Sequence, residues 1–196
     1  MSESAITISG WERAALAAEK VKERLHRATA ALERAGVAYA VIGGNAVAEW
    51  VGRVDEDAVR NTRDVDILLR RSDLEAAKAA LAPAGFVYVR SFEVDMFLDG
   101  PDGRPTQAVH LIFAGERVRE KDLATTPDVT NSEPAAGYRV LSLEALVRMK
   151  LTSFRLKDQV HLQDLIGVGL VDNSWPARLP PDLGARLQQI LDNPNG

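Results

Sequence analysis

Two carboxylates one residue apart, Asp64 and Asp66, sit in the run Thr62-Arg63-Asp64-Val65-Asp66-Ile67-Leu68, and a glycine pair, Gly43-Gly44, closes the apolar run Ala40-Val41-Ile42 upstream. Alternation along a strand sends Asp64 and Asp66 to one face and Val65, Ile67 and Leu69 to the other. Like charges so close repel unless a cation lies between them. A divalent ion suits the gap, because Mg²⁺ takes carboxylate oxygens and leaves room for substrate phosphates. The glycine pair, with Asn45 behind it, opens a helix whose bare N–H groups suit phosphate. The plain alternatives are a tight turn at Gly43-Gly44 and two solvated strand-end acids; their occurrence in this order favours a metal or nucleotide site.

Other residues extend the candidate site. Arg63, beside the aspartates, either meets phosphate or locks its loop, and Lys150 either meets phosphate or makes a surface ion pair. Lys150, Asp158 and His161 recur at spacings that put them along one side of a helix. Trp50 is close enough to the glycine turn to stack on a base, although packing is the simpler role for it and for Trp11 and Trp175.

The elements that position these residues follow from periodicity and punctuation. Ser9 to Ala35 reads as a first long helix, with capping-box spacing between Ser9 and Glu12 and Gly36 as its stop. Val37 to Ile42 is a buried strand, Gly43 to about Trp50 a short helix, and Gly52 to Asn61 a polar, acidic loop. Arg63 to Leu69 is the next strand, and Ser72 with Glu75 forms a second capping box ahead of a helix closed by Pro83 and Gly85. Phe86 to Leu98 and Thr106 to Phe113 read as a hairpin joined by Asp99-Gly100-Pro101-Asp102-Gly103. Its second strand turns Val109, Leu111 and Phe113 to one face and His110 to the other. An irregular connection, Glu116 to Gly137, leads to a second long helix from Ser142 to about Gly167. A linker over Asp172 to Pro181, a short helix over Leu183 to Leu191 and a frayed tail over Asn193 to Gly196 complete the chain. Three segments result: an N-terminal helix (1–36), a catalytic-type core (37–140) and a C-terminal helical part (141–196).

The 196 residues are 46% hydrophobic, enough for one sizeable core. A net charge of −4 gives no global footprint for coating a nucleic-acid duplex, although a local patch would still serve. The absence of cysteine excludes disulfides and thiolate metal sites. There is no apolar run of the roughly 20 residues that would span a bilayer, and Met1 to Gly10 lacks a signal pattern. The expectation is a soluble cytoplasmic protein.

Strand, Gly43-Gly44, helix, then Thr62-Arg63-Asp64-x-Asp66 resembles the signature of the DNA polymerase beta-type nucleotidyltransferase superfamily, particularly its small bacterial members, the minimal and abortive-infection toxin-type enzymes. The segment Leu143-x-x-Leu146-x-x-x-Lys150-Leu151, with Arg155, Lys157-Asp158 and Asp164-Leu165, is similar to the helical region that follows the catalytic sheet there. The resemblance implies an α+β, layered nucleotidyltransferase fold: a small mixed sheet with helices packed on it and a helical C-terminal part. It implies Gly43 and Gly44 around the nucleotide phosphates, and Asn45, Arg63 and Lys150 are the further candidate nucleotide-binding residues. It further implies two metal ions, Mg²⁺ or Mn²⁺, on Asp64 and Asp66, and transfer of a nucleoside monophosphate from a nucleoside triphosphate to a hydroxyl of a protein, a tRNA end or a small molecule. A third carboxylate is expected on a later strand, and in Ala108-Val109-His110-Leu111-Ile112 the slot holds histidine, the candidate third metal ligand. A second slot that commonly holds an acid contains His161. Asp95 is the substitute acid if hairpin register brings it to the face of His110. The alternative is a catalytically degenerate binding or regulatory module, such as one member of a toxin–antitoxin pair with a partner protein encoded nearby.

Overall fold

The computed structural model describes residues 9–193; the reading of Met1 to Gly10 as free of a signal pattern, and of the tail as frayed, falls largely outside them. Helix α1 (Gly10–Arg34) starts on the expected capping box, with Ser9 Oγ accepting from the Glu12 N–H and the Glu12 carboxylate accepting from the Ser9 N–H. Strand β1 (Tyr39–Ile42) runs into helix α2 (Gly43–Gly52), and β2 (Val65–Leu69) returns antiparallel to β1. Helix α3 (Leu74–Leu81) follows, then β3 (Phe86–Ser91), β4 (Val94–Asp99) and β5 (Val109–Phe113). Short strands β6 (Ser132–Pro134) and β7 (Arg139–Leu141) precede helices α4 (Leu143–Ser153), α5 (Leu156–Gly167) and α6 (Pro181–Asp192).

The strands form one mixed sheet in the order β3-β4-β5-β2-β1-β7-β6, with β2 parallel to β5 and β1 parallel to β7. Each face carries its own core. Tyr39, Val41, Ile67 and Phe97 pack under α1 and α3, through Leu25, Leu32 and Leu81. Ala40, Ile42, Leu68 and Val140 pack under α2, α4, α5 and α6, through Val47, Leu146, Leu162 and Leu187. The alternation that buries Leu68 on the second face puts Asp66 there too. No helix among the described residues is long and apolar enough to cross a membrane.

Five expectations change. The run Phe86 to Leu98 is not one strand; it folds back at Phe92-Glu93, both at positive φ, to make β3 and β4. The sequence lacks the Asn-Gly or Asp-Gly signal for such a two-residue turn. Register then pairs Met96, not Asp95, with His110, so Asp95 projects to the α1/α3 face, where it is buried and accepts from the Tyr88 hydroxyl. Asp95 therefore cannot supply the missing acid. The second capping box does not form: α3 starts one residue after a single 3₁₀ turn over Arg71–Asp73. The second long helix is broken at Phe154, which adopts the left-handed conformation at φ 46°, and the Asp172–Pro181 linker buries Trp175 and Leu179 in the core.

The Phe92-Glu93 turn gives a direct test. Left-handed backbone costs an L residue about 1–2 kcal/mol, and Phe92 is exposed, so nothing in the core depends on its ring. Replacing the pair by Asn-Gly (Phe92→Asn with Glu93→Gly) is expected to raise the unfolding free energy by about 1 kcal/mol in urea titrations.

Candidate functional site

Gly43 opens α2 at φ +69°, and a Cβ built on it would fall 2.0 Å from Asp66 Oδ2. Backbone conformation and the closeness of Asp66 therefore both require glycine there. Gly44 faces Thr62 as tightly, with a hypothetical Cβ 2.7 Å from its hydroxyl. Asn45 donates from Nδ2 to the Asp64 carbonyl at 2.7 Å. Its side chain is thus occupied in tying α2 to the start of β2. The first N–H groups of α2 have no intrahelical acceptor and sit at the edge of the cleft described next.

Asp66 and His110 are register partners on adjacent parallel strands, with His110 Nδ1 3.8 Å from Asp66 Oδ1. Asp64 joins them: one donor atom from each of Asp64, Asp66 and His110 lies within 4.8 Å of the others. Two carboxylates and an imidazole at this spacing are a donor set for one divalent cation. Burial pushes the Asp66 carboxyl up from its ordinary value, against the pull of His110 and Lys150.

A cleft opens on the Asp66 side, between Gly43-Gly44, Lys150 and the loop that carries Arg119 and Asp122. That loop was expected only as an irregular connection. Thr126 clasps it to the end of β5, donating to the Phe113 carbonyl and accepting from the Glu116 N–H. The far wall is the α4–α5 break. Asp158, fully buried, accepts from Lys150 Nζ at 3.3 Å, from Ser153 Oγ at 2.7 Å, and from the backbone N–H and guanidinium of Arg155. Burial acts to raise its pKa, but the Arg155 hydrogen bonds and the Lys150 charge hold it well below the usual carboxylate range. Burial also pushes the Lys150 amine down, opposed by Asp158 and Asp66. Lys150 thus makes the ion pair its sequence spacing allowed, in the wall of the cleft rather than on a surface.

A second depression lies on the Asp64 side, between Arg60, Arg63, Lys157, His161 and Asp164. Lys157 Nζ stands 3.7 Å from Asp64 Oδ2, and Arg60 pairs with Asp164 at 2.9 Å. Arg63 is exposed at the rim. His161 is buried, its Nδ1 has no hydrogen-bond partner, and burial together with Lys150 and Lys157 lowers its pKa to about 4. Trp50 is a packing residue: its indole N–H donates to the Leu141 carbonyl and Arg53 covers its ring. Arg119 and Asp122 went unnoticed in the sequence, and Lys157 was named only within the helical segment that carries the resemblance, without a role at the site. Lys157 alone had a signal, one residue before Asp158 in a helix already tied to the site.

This architecture is a nucleotidyltransferase fold, and the solved structures that share it are nucleotidyltransferases or nucleotidyltransferase-like proteins. The antibiotic-resistance factor ANT(2'')-Ia in solution superposes with a TM-score of 0.56 at 14% identity, over 88% of this chain and 91% of that one. Its crystal structure in complex with adenylyl-2''-tobramycin gives 0.56 at 16% identity, over 87% and 98%. An antigenic nucleotidyltransferase-like protein from Paracoccidioides brasiliensis gives 0.55 at 18% identity, over 90% of each chain. No protein-family model and no curated protein sequence matches the chain.

Two outcomes test the site as built. Gly43→Ala should lower stability by about 2 kcal/mol in denaturant, because the methyl must displace Asp66 and the left-handed backbone disfavours it. His161 binds fewer protons in the folded than in the unfolded chain between about pH 4 and 6.5. Its contribution is therefore fully present above pH 6.5 and is lost as pH falls toward 4, to a total of about 3 kcal/mol. Unfolding free energies measured across that window for His161→Gln should lack this component of the wild-type slope.

Proposed function

We propose that the chain transfers a nucleoside monophosphate from a nucleoside triphosphate to an acceptor hydroxyl. The observation that carries the reading is the convergence of Asp64, Asp66 and His110 within 4.8 Å beside the glycine-opened helix. Those three residues would hold Mg²⁺ or Mn²⁺, with the imidazole favouring Mn²⁺. When bound, the ion neutralises phosphate charge and makes a hydroxyl more acidic. The N–H groups at the start of α2 and the Lys150 ammonium receive the triphosphate on the Asp66 side. Asn45 acts through the backbone of Asp64, fixing where that carboxylate stands. The acceptor enters the Asp64-side depression, where Arg63 and Lys157 face it. Its hydroxyl oxygen forms the new bond to the α-phosphorus, the bond to the bridging oxygen breaks, pyrophosphate leaves, and the hydroxyl proton passes to water. Arrangement on opposite sides of the aspartate pair suits attack and departure along one line.

His110 favours a second reading, a fold kept for nucleotide binding with little turnover. A neutral imidazole in place of a carboxylate leaves one negative charge fewer where the acceptor oxygen must be activated.

Nucleoside triphosphate with Mn²⁺ at a hundred times its Kd should add about 2.7 kcal/mol of stability to the wild-type chain and none to Asp64→Asn/Asp66→Asn. The absence of any ligand-dependent stabilisation sinks both readings. Transfer of α-labelled nucleotide in Mg²⁺ then separates them: His110→Asp should increase the rate about tenfold or more, and robust wild-type turnover in Mg²⁺ alone removes the binding-only reading.

A further inference from the structure

Lys157 stands where the cleft and the depression meet. Among the described residues only Lys157 and Gly44 line both, and Gly44 has no side chain to offer. In the proposed transfer the new bond forms at that junction, between the triphosphate on one side and the acceptor on the other. Lys157 Nζ is 3.7 Å from Asp64 Oδ2, on a side chain 55% exposed. Helix stability argues against a lysine there. Arg155 already occupies the N-cap of α5, and Lys157 adds a second cation to the first turn, where the helix dipole favours an anion. A residue that breaks a local rule in the wall of a site points to a role in that site.

The donor groups serve one divalent ion. Asp64, Asp66 and His110 are the only such cluster among the described residues. The other carboxylates lining the cleft and the depression are engaged. Lys150, Ser153 and Arg155 hold Asp158, Arg60 holds both oxygens of Asp164 at 2.9 and 3.1 Å, and the Arg119 N–H donates to Asp122 at 3.0 Å. A second ion beside Asp64 would find no further acid to hold it and would lie against an ammonium. We infer that the Lys157 ammonium takes the place of a second divalent ion, so that the site works with one ion and one lysine. The chemical step rests on the proposed nucleotidyl transfer; the count of ions does not. Lys157 Nζ donates to a non-bridging oxygen of the α-phosphate, where charge builds as the bonds exchange. The acceptor oxygen gains the α-phosphorus and the bond to the bridging oxygen breaks. Pyrophosphate leaves with that electron pair, the hydroxyl proton goes to water, and the ammonium keeps its own protons.

The test is a Mn²⁺ titration, followed by calorimetry and by the electron paramagnetic resonance of the free ion. It is run on the chain alone and with a non-hydrolysable α,β-methylene nucleoside triphosphate. The wild-type chain should take up one ion in both cases. Lys157→Met should bind its ion about tenfold more tightly, the effect of removing a unit charge close to a divalent one even in water. Lys20→Met on α1, an equal change in net charge at an exposed position, should leave the affinity as it is. Lys157→Met should not lower the melting temperature, since it takes a cation from a helix N-terminus. In transfer of α-labelled nucleotide it should lower kcat about a hundredfold with little change in KM for the triphosphate, and Lys157→Arg should recover most of the loss. Two ions per wild-type chain, no Mn²⁺ uptake at all, or a Lys157→Met variant with wild-type ion affinity or wild-type kcat overturns the inference. One ion without triphosphate affinity removes the proposed transfer and keeps Lys157 as the internal cation; triphosphate affinity with two ions does the reverse.

Discussion

The contact between Lys150 and the fully buried Asp158 fixes where the walls of the cleft stand. A lysine and an aspartate out of water are tolerable only together, since removing one partner leaves an uncompensated charge and costs about 3–5 kcal/mol. The pair forms because α4 ends at Phe154 and α5 restarts at once; on an unbroken helix, residues eight apart would be about 12 Å apart along the axis. Arg186 of α6 donates to the carbonyls of Leu151 and Thr152, supporting the last turn of α4, and lies over the Phe154 ring. Asp158 also caps α5 through the Arg155 N–H. One buried carboxylate thus joins two helices, orders Arg155 and points an ammonium toward Asp66.

Around that anchor the charges are arranged asymmetrically. The Asp66 side has Lys150 in its wall and the free N–H groups of α2 at its edge, and the Asp64 side has Lys157 and the exposed Arg63. Each aspartate therefore faces a cation of its own, and both face His110 or its neighbourhood. The site presents all three donor groups together, one atom from each within 4.8 Å of the others.

The legible parts of the molecule were those governed by local physics. Capping at Ser9, the alternation that separates Asp66 from Ile67, and the glycine pair all followed from residue type and spacing. The errors came where long-range contacts override local preference. Phe92 and Glu93 carry no turn signature, and only pairing of their flanking strands forces them to positive φ. With that turn unseen, the phase of Asp95 could not be fixed. Phe154 reads as one more apolar residue in a continuous helix, yet the Lys150–Asp158 pair and Arg186 hold it at a break. The loop carrying Arg119 and Asp122 has no periodicity, and its course is set by the Thr126 clasp.

The missing side chain at Gly43 has a consequence for how such a protein changes over generations. The space a methyl would need is already filled by the Asp66 carboxylate, so the two positions form a single evolutionary unit despite their separation in sequence. No stepwise path enlarges position 43 while the acid stays where it is. Among descendants of this chain, a bulkier residue at 43 is admissible only after position 66 has shrunk or moved. Loss of the glycine would therefore mark lineages that had already abandoned the aspartate.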